Sequence, residues 1–120
     1  FSGRTVDPPS GGFIARNAGN AEQIEVGWWP GDARYGKAAF YAFAMPAPDS
    51  FAHGPVSPPP ARWDDGLGEY LFDWDDAIAT ADPHAAAVEF GRSVIAHGTA
   101  VCDWDPFLAS SALGEPAPVT

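Results

Sequence analysis

A chain of 120 residues with 46% hydrophobic side chains holds one domain's worth of sequence and can bury about 65% of its unfolded surface, so a single core is expected and global disorder is not. The net charge is −10, and residues 1–60 carry four basic against five acidic side chains while residues 61–120 carry two against eleven. That imbalance repels phosphate backbones and anionic lipid, which argues against nucleic-acid and membrane partners. The single cysteine, Cys102, permits no intramolecular disulfide, and the uncharged apolar stretch 38–48 is too short to span a bilayer. A reducing, cytoplasmic setting is therefore expected.

Residues 1–5 read as the tail of a strand, and the start on FSGR without Met suggests a piece of a longer protein. VDPPSGG (6–12) reads as a turn, because proline removes donors and glycine permits positive φ. FIARNAG (13–19) reads as a short strand over 13–17. In EQIEVGWW (22–29), Ile24, Val26 and Trp28 alternate with Gln23, Glu25, Gly27 and Trp29. A period of two predicts a strand with one buried face. PGDARYGK (30–37) reverses the chain. AAFYAFAM (38–45) is apolar on both sides and suits a central strand, small at Ala42 and Ala44 on one face and large at Tyr41, Phe43 and Met45 on the other. The proline-rich run 46–62 predicts an extended surface connection. GEYLFDW (68–74) gives a short strand over 69–73, and DDAIATA one or two helical turns.

The clearest element begins at Asp82, a good N-cap, with Pro83 where its missing donor costs nothing. At 100° per residue the spacing predicts a helix over 83–102 with Phe90, Val94, Ile95, Val101 and Cys102 on one half. Gly91 and Gly98 lie in the middle of that half, and each costs about 1 kcal/mol of helix propensity relative to Ala. Close packing on a sheet, over Ala42 and Ala44, is the expected compensation.

Candidate chemistry centres first on WDDGLGEYLFDWDD (63–76), which has six carboxylates, four aromatic rings and no Lys or Arg. A calcium loop needs convergent oxygens and a glycine at its sharp turn, whereas bulky Trp74 separates Asp73 from Asp75. Asp75 and Asp76 precede an apolar turn, where the helix dipole favours carboxylates. The stretch reads as acidic surface and capping, and so does the second DWD (103–105), ahead of PFLASSAL. No histidine pair has metal-ligand spacing, no nucleophile elbow is present, and GLGEY, with neither a predicted strand before it nor a helix after it, is not a phosphate loop. No metal, cofactor or catalytic residue is assigned. Cys102, on the helix's apolar half, reads as inert core. Glu22 and Glu25, three apart on a strand, face opposite sides and cannot work as a pair. Trp28 and Trp29 also point to opposite faces, and Trp29 shares its side with Glu25. An aromatic beside a carboxylate can hold a cation or a sugar. The candidate ligand-binding residues are Glu22, Trp29, Tyr41 and Glu69.

The ordered blocks FSGR (1–4), GWWPGD (27–32), AFYAFAMPAPDSF (39–51), DDGLGEYLFDWDDA (64–77) and DPHAAAVEF (82–90) resemble the C-terminal part of a bacterial domain-of-unknown-function family. Its members run to roughly 300 residues, more than one core's worth of chain. The resemblance implies that an N-terminal part is missing, and it brings no activity with it. Members carry Tyr-Ser-His-Glu shortly before the Trp-Pro-Gly turn. Here Gly19, Asn20, Ala21 and Glu22 stand instead, so an imidazole proton shuttle would be lost while the acid is kept.

Together these features predict one α+β domain over 1–120: an antiparallel sheet from about 13–17, 22–29, 38–45 and 69–73, covered by the 83–102 helix. The leading functional expectation is a non-catalytic module whose aromatic sheet face, Trp29, Tyr41 and Phe43, packs against the missing N-terminal part or a small molecule. The alternative is part of an enzyme with Glu22 or Glu69 as acid or base in a cleft between the two parts.

Overall fold

A computed structural model describes residues 1–7 and 10–114, which form an α+β fold. Pro8 and Pro9, within the turn expected over 6–12, and the stretch from 115 onward lie outside the described residues. The alternating segment QIEVGWW forms β1 (Gln23–Trp29) and AFYAFAM forms β2 (Ala39–Met45), antiparallel from Gln23 opposite Met45 to Trp29 opposite Ala39. β2 pairs on its other side with β4 (Glu69–Asp73), and β4 with β3 (Arg62–Asp64), giving the order β1-β2-β4-β3. Directly opposed residues share a face. Ile24, Val26 and Trp28 thus lie on the same side as Phe40, Ala42, Ala44, Tyr70 and Phe72, while Glu25, Trp29, Tyr41, Phe43 and Leu71 lie on the other.

One face is covered by α3 (Pro83–Val101). The Asp82 carboxylate accepts a hydrogen bond from the Ala85 amide at 3.0 Å, and Pro83 opens the helix as its sequence predicts. Ala86, Phe90, Val94 and Gly98 recur every four residues and are buried. They close a core with Ala42, Phe51, Tyr70, Phe72 and Ala77. A Cβ built on Gly98 would stand 2.9 Å from Ile24 Cδ1 and 3.2 Å from Phe51 Cε1, and one on Gly91 would stand 3.6 Å from Val26 Cγ1. The glycines therefore approach the sheet as expected, but they meet Ile24 and Val26 of β1, the cross-strand partners of Ala44 and Ala42.

Several expectations are corrected. Residues 13–17 are not a strand but part of α1 (Phe13–Ala18), with Arg16 donating to the Gly11 carbonyl and Asn17 to that of Phe13. Phe13 and Ile14 are 74% and 80% exposed, so no buried face holds the segment extended, and Ala15, Arg16 and Ala18 favour the helix. The fourth strand is instead β3, whose three residues are too few to show a period. The proline-rich run is also more than surface chain. It contains a 3₁₀ turn over Asp49–His53 whose Phe51 is a core residue. The Phe51 carbonyl accepts from the Tyr70 hydroxyl, which in turn accepts from the Gly54 amide at 2.9 Å. His97 completes this anchor, with its ring stacked on Phe51 at 5.9 Å and Nε2 3.0 Å from the Phe51 carbonyl. GLGEY does follow a strand, but it closes the hairpin between β3 and β4, with the Gly68 amide on the Asp64 carbonyl and Gly68 at φ 69°. Cys102 is the half-buried cap of α3 rather than full core, and burial pushes its thiol up, which keeps it protonated and inert.

β1 is an edge strand, and this limits its burial. The Trp74 amide donates to the Ala38 carbonyl, so even-numbered residues of β2 bond to β4 and odd-numbered ones to β1. The even-numbered residues of β1 then turn their amides and carbonyls outward. At Asn20 and Glu22 the N-terminal arm meets that edge, through the Val6 amide on Asn20 and the Glu22 amide on Arg4. Beyond the arm, the outward groups of Ile24, Val26 and Trp28 have no partner among the described residues. Trp28, expected on the buried face, is 49% exposed and lies edge-on to Trp74, the first residue of α2 (Trp74–Ile78).

The arm also fixes the far end of α3. Arg4 pairs with Glu22 at 2.5 Å and donates to the carbonyls of Cys102 and Asp103 at 2.8 and 3.0 Å. A guanidinium at a helix C-terminus satisfies carbonyls that have no helical partner. The Asp105 side chain then caps α4 (Pro106–Ala112) by accepting from the Phe107 amide. No helix of the described residues is long and apolar enough to cross a membrane.

Two predictions follow from these contacts. In urea unfolding, Gly91→Ala should gain up to about 1 kcal/mol of stability from helix propensity, because its new methyl meets only ordinary contact. Gly98→Val should instead lose about 1–3 kcal/mol through overpacking against Ile24 and Phe51. A Gly98→Val protein as stable as the parent would refute the close approach. Arg4→Ala and Glu22→Gln should each lower the melting temperature, and the double variant should be little worse than either single. The Arg4 hydrogen bonds hold the Glu22 carboxyl below its ordinary value, so its stabilisation is present above the unfolded carboxyl pKa and is lost as pH falls through the folded one. Acid titration of Glu22→Gln should therefore show a shallower loss of stability than the parent.

Candidate functional site

Among the described residues, the sheet face opposite α3 has no helix on it. Its first cover is the reversal 30–37, where the Asp32 and Tyr35 backbones bond each other and Gly31 takes φ 92°. This loop lays the Tyr35 ring against Trp29 at 5.8 Å and sends its hydroxyl to donate to Asp73. Arg62 donates to the same hydroxyl and lies 5.8 Å over the ring, 3.6 Å from the Asp73 carboxylate. Ala39 and Leu71, on this face, are fully buried.

The rest of the face is a cavity of about 260 Å³ lined by Glu25, Trp29, Arg34, Tyr41, Phe43 and Glu69. Gly27 shapes it. A Cβ there would stand 2.5 Å from the Tyr41 hydroxyl oxygen and 2.6 Å from Cζ, so the Tyr41 ring lies across β1 in the space a side chain would take. From that position its hydroxyl donates to Glu25 Oε1 at 2.7 Å. Trp29 stands edge-on to Tyr41 at 5.6 Å and 81°, and Phe43 is stacked on Tyr41 at 6.3 Å and 12°. The rings therefore form a corner with the carboxylates beside it.

The electrostatics follow from this crowding. The hydrogen bond to Glu25, with burial and the charges of Glu25 and Glu69, pushes the Tyr41 hydroxyl up to about 12. Burial pushes the Glu69 carboxyl above its ordinary value. Arg34 opposes the shift, while Glu25, Asp64 and Asp32 add to it. Arg34 is itself held by Asp32, through Nε at 3.2 Å and Nη2 at 2.8 Å. Its charge is thus largely answered within the loop, and Glu25 and Glu69 leave the cavity acidic.

The structure brings together Trp29, Tyr41 and Glu69 and leaves Glu22 outside. Glu22 sits at the start of β1 in the clasp with Arg4, beside Val101 and Cys102. Glu25, already noted for sharing a side with Trp29, joins the site, and so does Arg34, which was not singled out. Glu25 was legible from its shared parity with Trp29, but Arg34 arrives through loop geometry that no periodicity encodes. The acidic stretch 63–76 divides its tasks. Asp64 accepts from the Leu67 amide in the hairpin, Asp65 accepts from Trp63 Nε1, and Asp75 and Asp76 sit in the first turn of α2. Among the described residues no three His, Cys, Asp or Glu side chains are grouped to hold a metal ion.

A larger groove, about 580 Å³, runs along the outer side of α3 past His84, Val88, Arg92 and Leu113. Its ionisable groups all come from that one helix. It therefore lacks the convergence from separate strands that marks the open sheet face.

No curated protein and no solved structure was found to match this sequence. A family model does match, over residues 1–110. The chain thus belongs to a family of unknown function, DUF5996.

Proposed function

We propose that this chain is a non-catalytic binding module whose binding surface is the sheet face without a helix. The observation that carries this reading is the convergence of Trp29, Tyr41, Phe43, Glu25 and Glu69, from three strands, on one concave cavity. A volume near 260 Å³ lies just under the range of about 300–1,000 Å³ typical of small-molecule sites, so the fitting occupant is a small molecule. Further polypeptide of a longer parent would find two places to pack: the rim of this face, and the outward edge of β1 at Ile24, Val26 and Trp28. The single cysteine, which permits no intramolecular disulfide, supports a cytosolic setting.

A second reading, an enzyme with Glu69 as its acid, is favoured by one observation, the raised Glu69 carboxyl in a cleft. Burial and neighbouring carboxylates account for that shift without a catalytic role. The cavity lining contains no Ser, Cys or His to act with it, which is why binding is preferred.

The binding reading is tested by titrating the ¹⁵N-labelled chain separately with choline, glucose, benzoate and inorganic phosphate. At least one should shift the Trp29 indole N–H and the Tyr41 ring resonances saturably, and Trp29→Ala should abolish the effect. If none of the four moves these signals, the reading fails. For Glu69, the sign is set by its raised carboxyl. Ionisation above the folded pKa weakens the folded state, and protonation below it relieves the cost. Glu69→Gln should therefore raise the melting temperature at neutral pH, with the gain disappearing under acid conditions.

A further inference from the structure

Resting on the binding reading above, the geometry points to the class of ligand: we infer that the open-face cavity takes a small organic cation, a substituted ammonium, held between the Trp29, Tyr41 and Phe43 rings and the carboxylates of Glu25 and Glu69. Three observations carry this.

The first is charge. The ionisable groups facing the cavity are Glu25 from β1, Tyr41 from β2, Glu69 from β4 and Arg34 from the 30–37 loop, with Asp64 and Asp32 acting on Glu69 from outside it. Arg34 is the one cation of the lining, and Asp32 already binds it through two guanidinium nitrogens. Two carboxylates remain without a cationic partner within the lining. Partly desolvated like charges held together favour a bound positive charge, because the attraction strengthens where water is partly excluded.

The second is the walls. Trp29 and Tyr41 meet nearly at right angles, with Phe43 parallel to Tyr41. Aromatic faces carry negative quadrupole density, and weakly hydrated organic cations gain from it. A strongly hydrated metal ion would lose water on these rings without gaining enough oxygen ligands in return.

The third is preorganisation. The Tyr41 hydroxyl occupies Glu25 Oε1 and fixes the carboxylate in place, leaving its second oxygen as an acceptor. Gly27 is what lets Tyr41 lie there, so the backbone of β1 sets both one ring and one acid of the site. Little remains to be ordered when a ligand enters.

The test uses a pair of probes that differ in charge but hardly in shape, choline and its neutral isostere 3,3-dimethyl-1-butanol, titrated into the 120-residue chain. Choline should shift the Trp29 indole N–H saturably, and the alcohol should bind at least about tenfold more weakly. Glu69→Gln should weaken choline at least severalfold while leaving the alcohol unchanged. In the parent, choline binding should weaken as pH falls through the Glu69 carboxyl. Circular dichroism of each variant separates lost binding from lost folding, and Trp29→Phe, which keeps an aromatic wall, should retain part of the affinity. Equal binding of choline and the alcohol overturns the cation inference but leaves the binding module standing, as does binding of glucose or benzoate without choline. Silence from every probe overturns both.

Discussion

The approach of α3 to the sheet at Gly98 is the contact from which the rest of the architecture follows. A helix can press its backbone onto β1 only where no side chain intervenes, and the 2.9 Å and 3.2 Å separations from Ile24 and Phe51 show how little room there is. Once α3 is seated, Phe90 and Val94 meet Phe72 and Phe51, and the 3₁₀ turn is pinned between His97 and Tyr70. The apolar contacts of the core thus accumulate on one side of a single sheet. Among the described residues the opposite side has no second helix and is covered by a loop and polar bonds, the arrangement common to antiparallel sheets. The free face follows from α3 being the one long helix among the described residues.

That free face keeps features that stability alone does not select. A glycine inside a strand weakens it, yet Gly27 leaves the room into which Tyr41 folds and from which it reaches Glu25. Carboxylates near one another and partly buried work against the folded state, yet Glu69 is surrounded by Glu25, Asp64 and Asp32. At the other end of the same face the opposite choice is made. The buried Asp73 is answered by Tyr35, Arg62 and Lys37 together. One end of the face is electrostatically satisfied and the other is left acidic. That contrast within one surface is what the proposed binding site rests on.

Much of this was legible in the residues. Asp82 and Pro83 announced α3, and parity alone put Trp29, Tyr41 and Phe43 on one face. What escaped was whatever depends on context. FIARNA carries an aromatic and a β-branched residue and imitates a strand, but with nothing to bury it against, local propensity made it α1. The hairpin loop from Asp64 to Gly68 hid β3 because RWD is too short to show a period. Phe51 stood alone among prolines, where nothing marks a residue as core. Glu22 was a reasonable acid from sequence, but its partner is Arg4, eighteen residues away and brought near only by the arm.

The two unfinished surfaces of the sheet differ in kind, which bears on how each can be used. The outer edge of β1 presents backbone amides and carbonyls at Ile24, Val26 and Trp28, with exposed indoles of Trp28 and Trp74 beside them. Such an edge recognises extended polypeptide through main-chain bonds and discriminates weakly between sequences. The cavity on the open face offers few backbone groups but a fixed set of rings and acids, so an occupant of the kind proposed would be selected by charge and shape. The strand β1 serves both, sending its even residues to the edge and the helix side and its odd residues to the cavity. A polypeptide paired at the edge would lie against the same strand that carries Glu25 and Trp29.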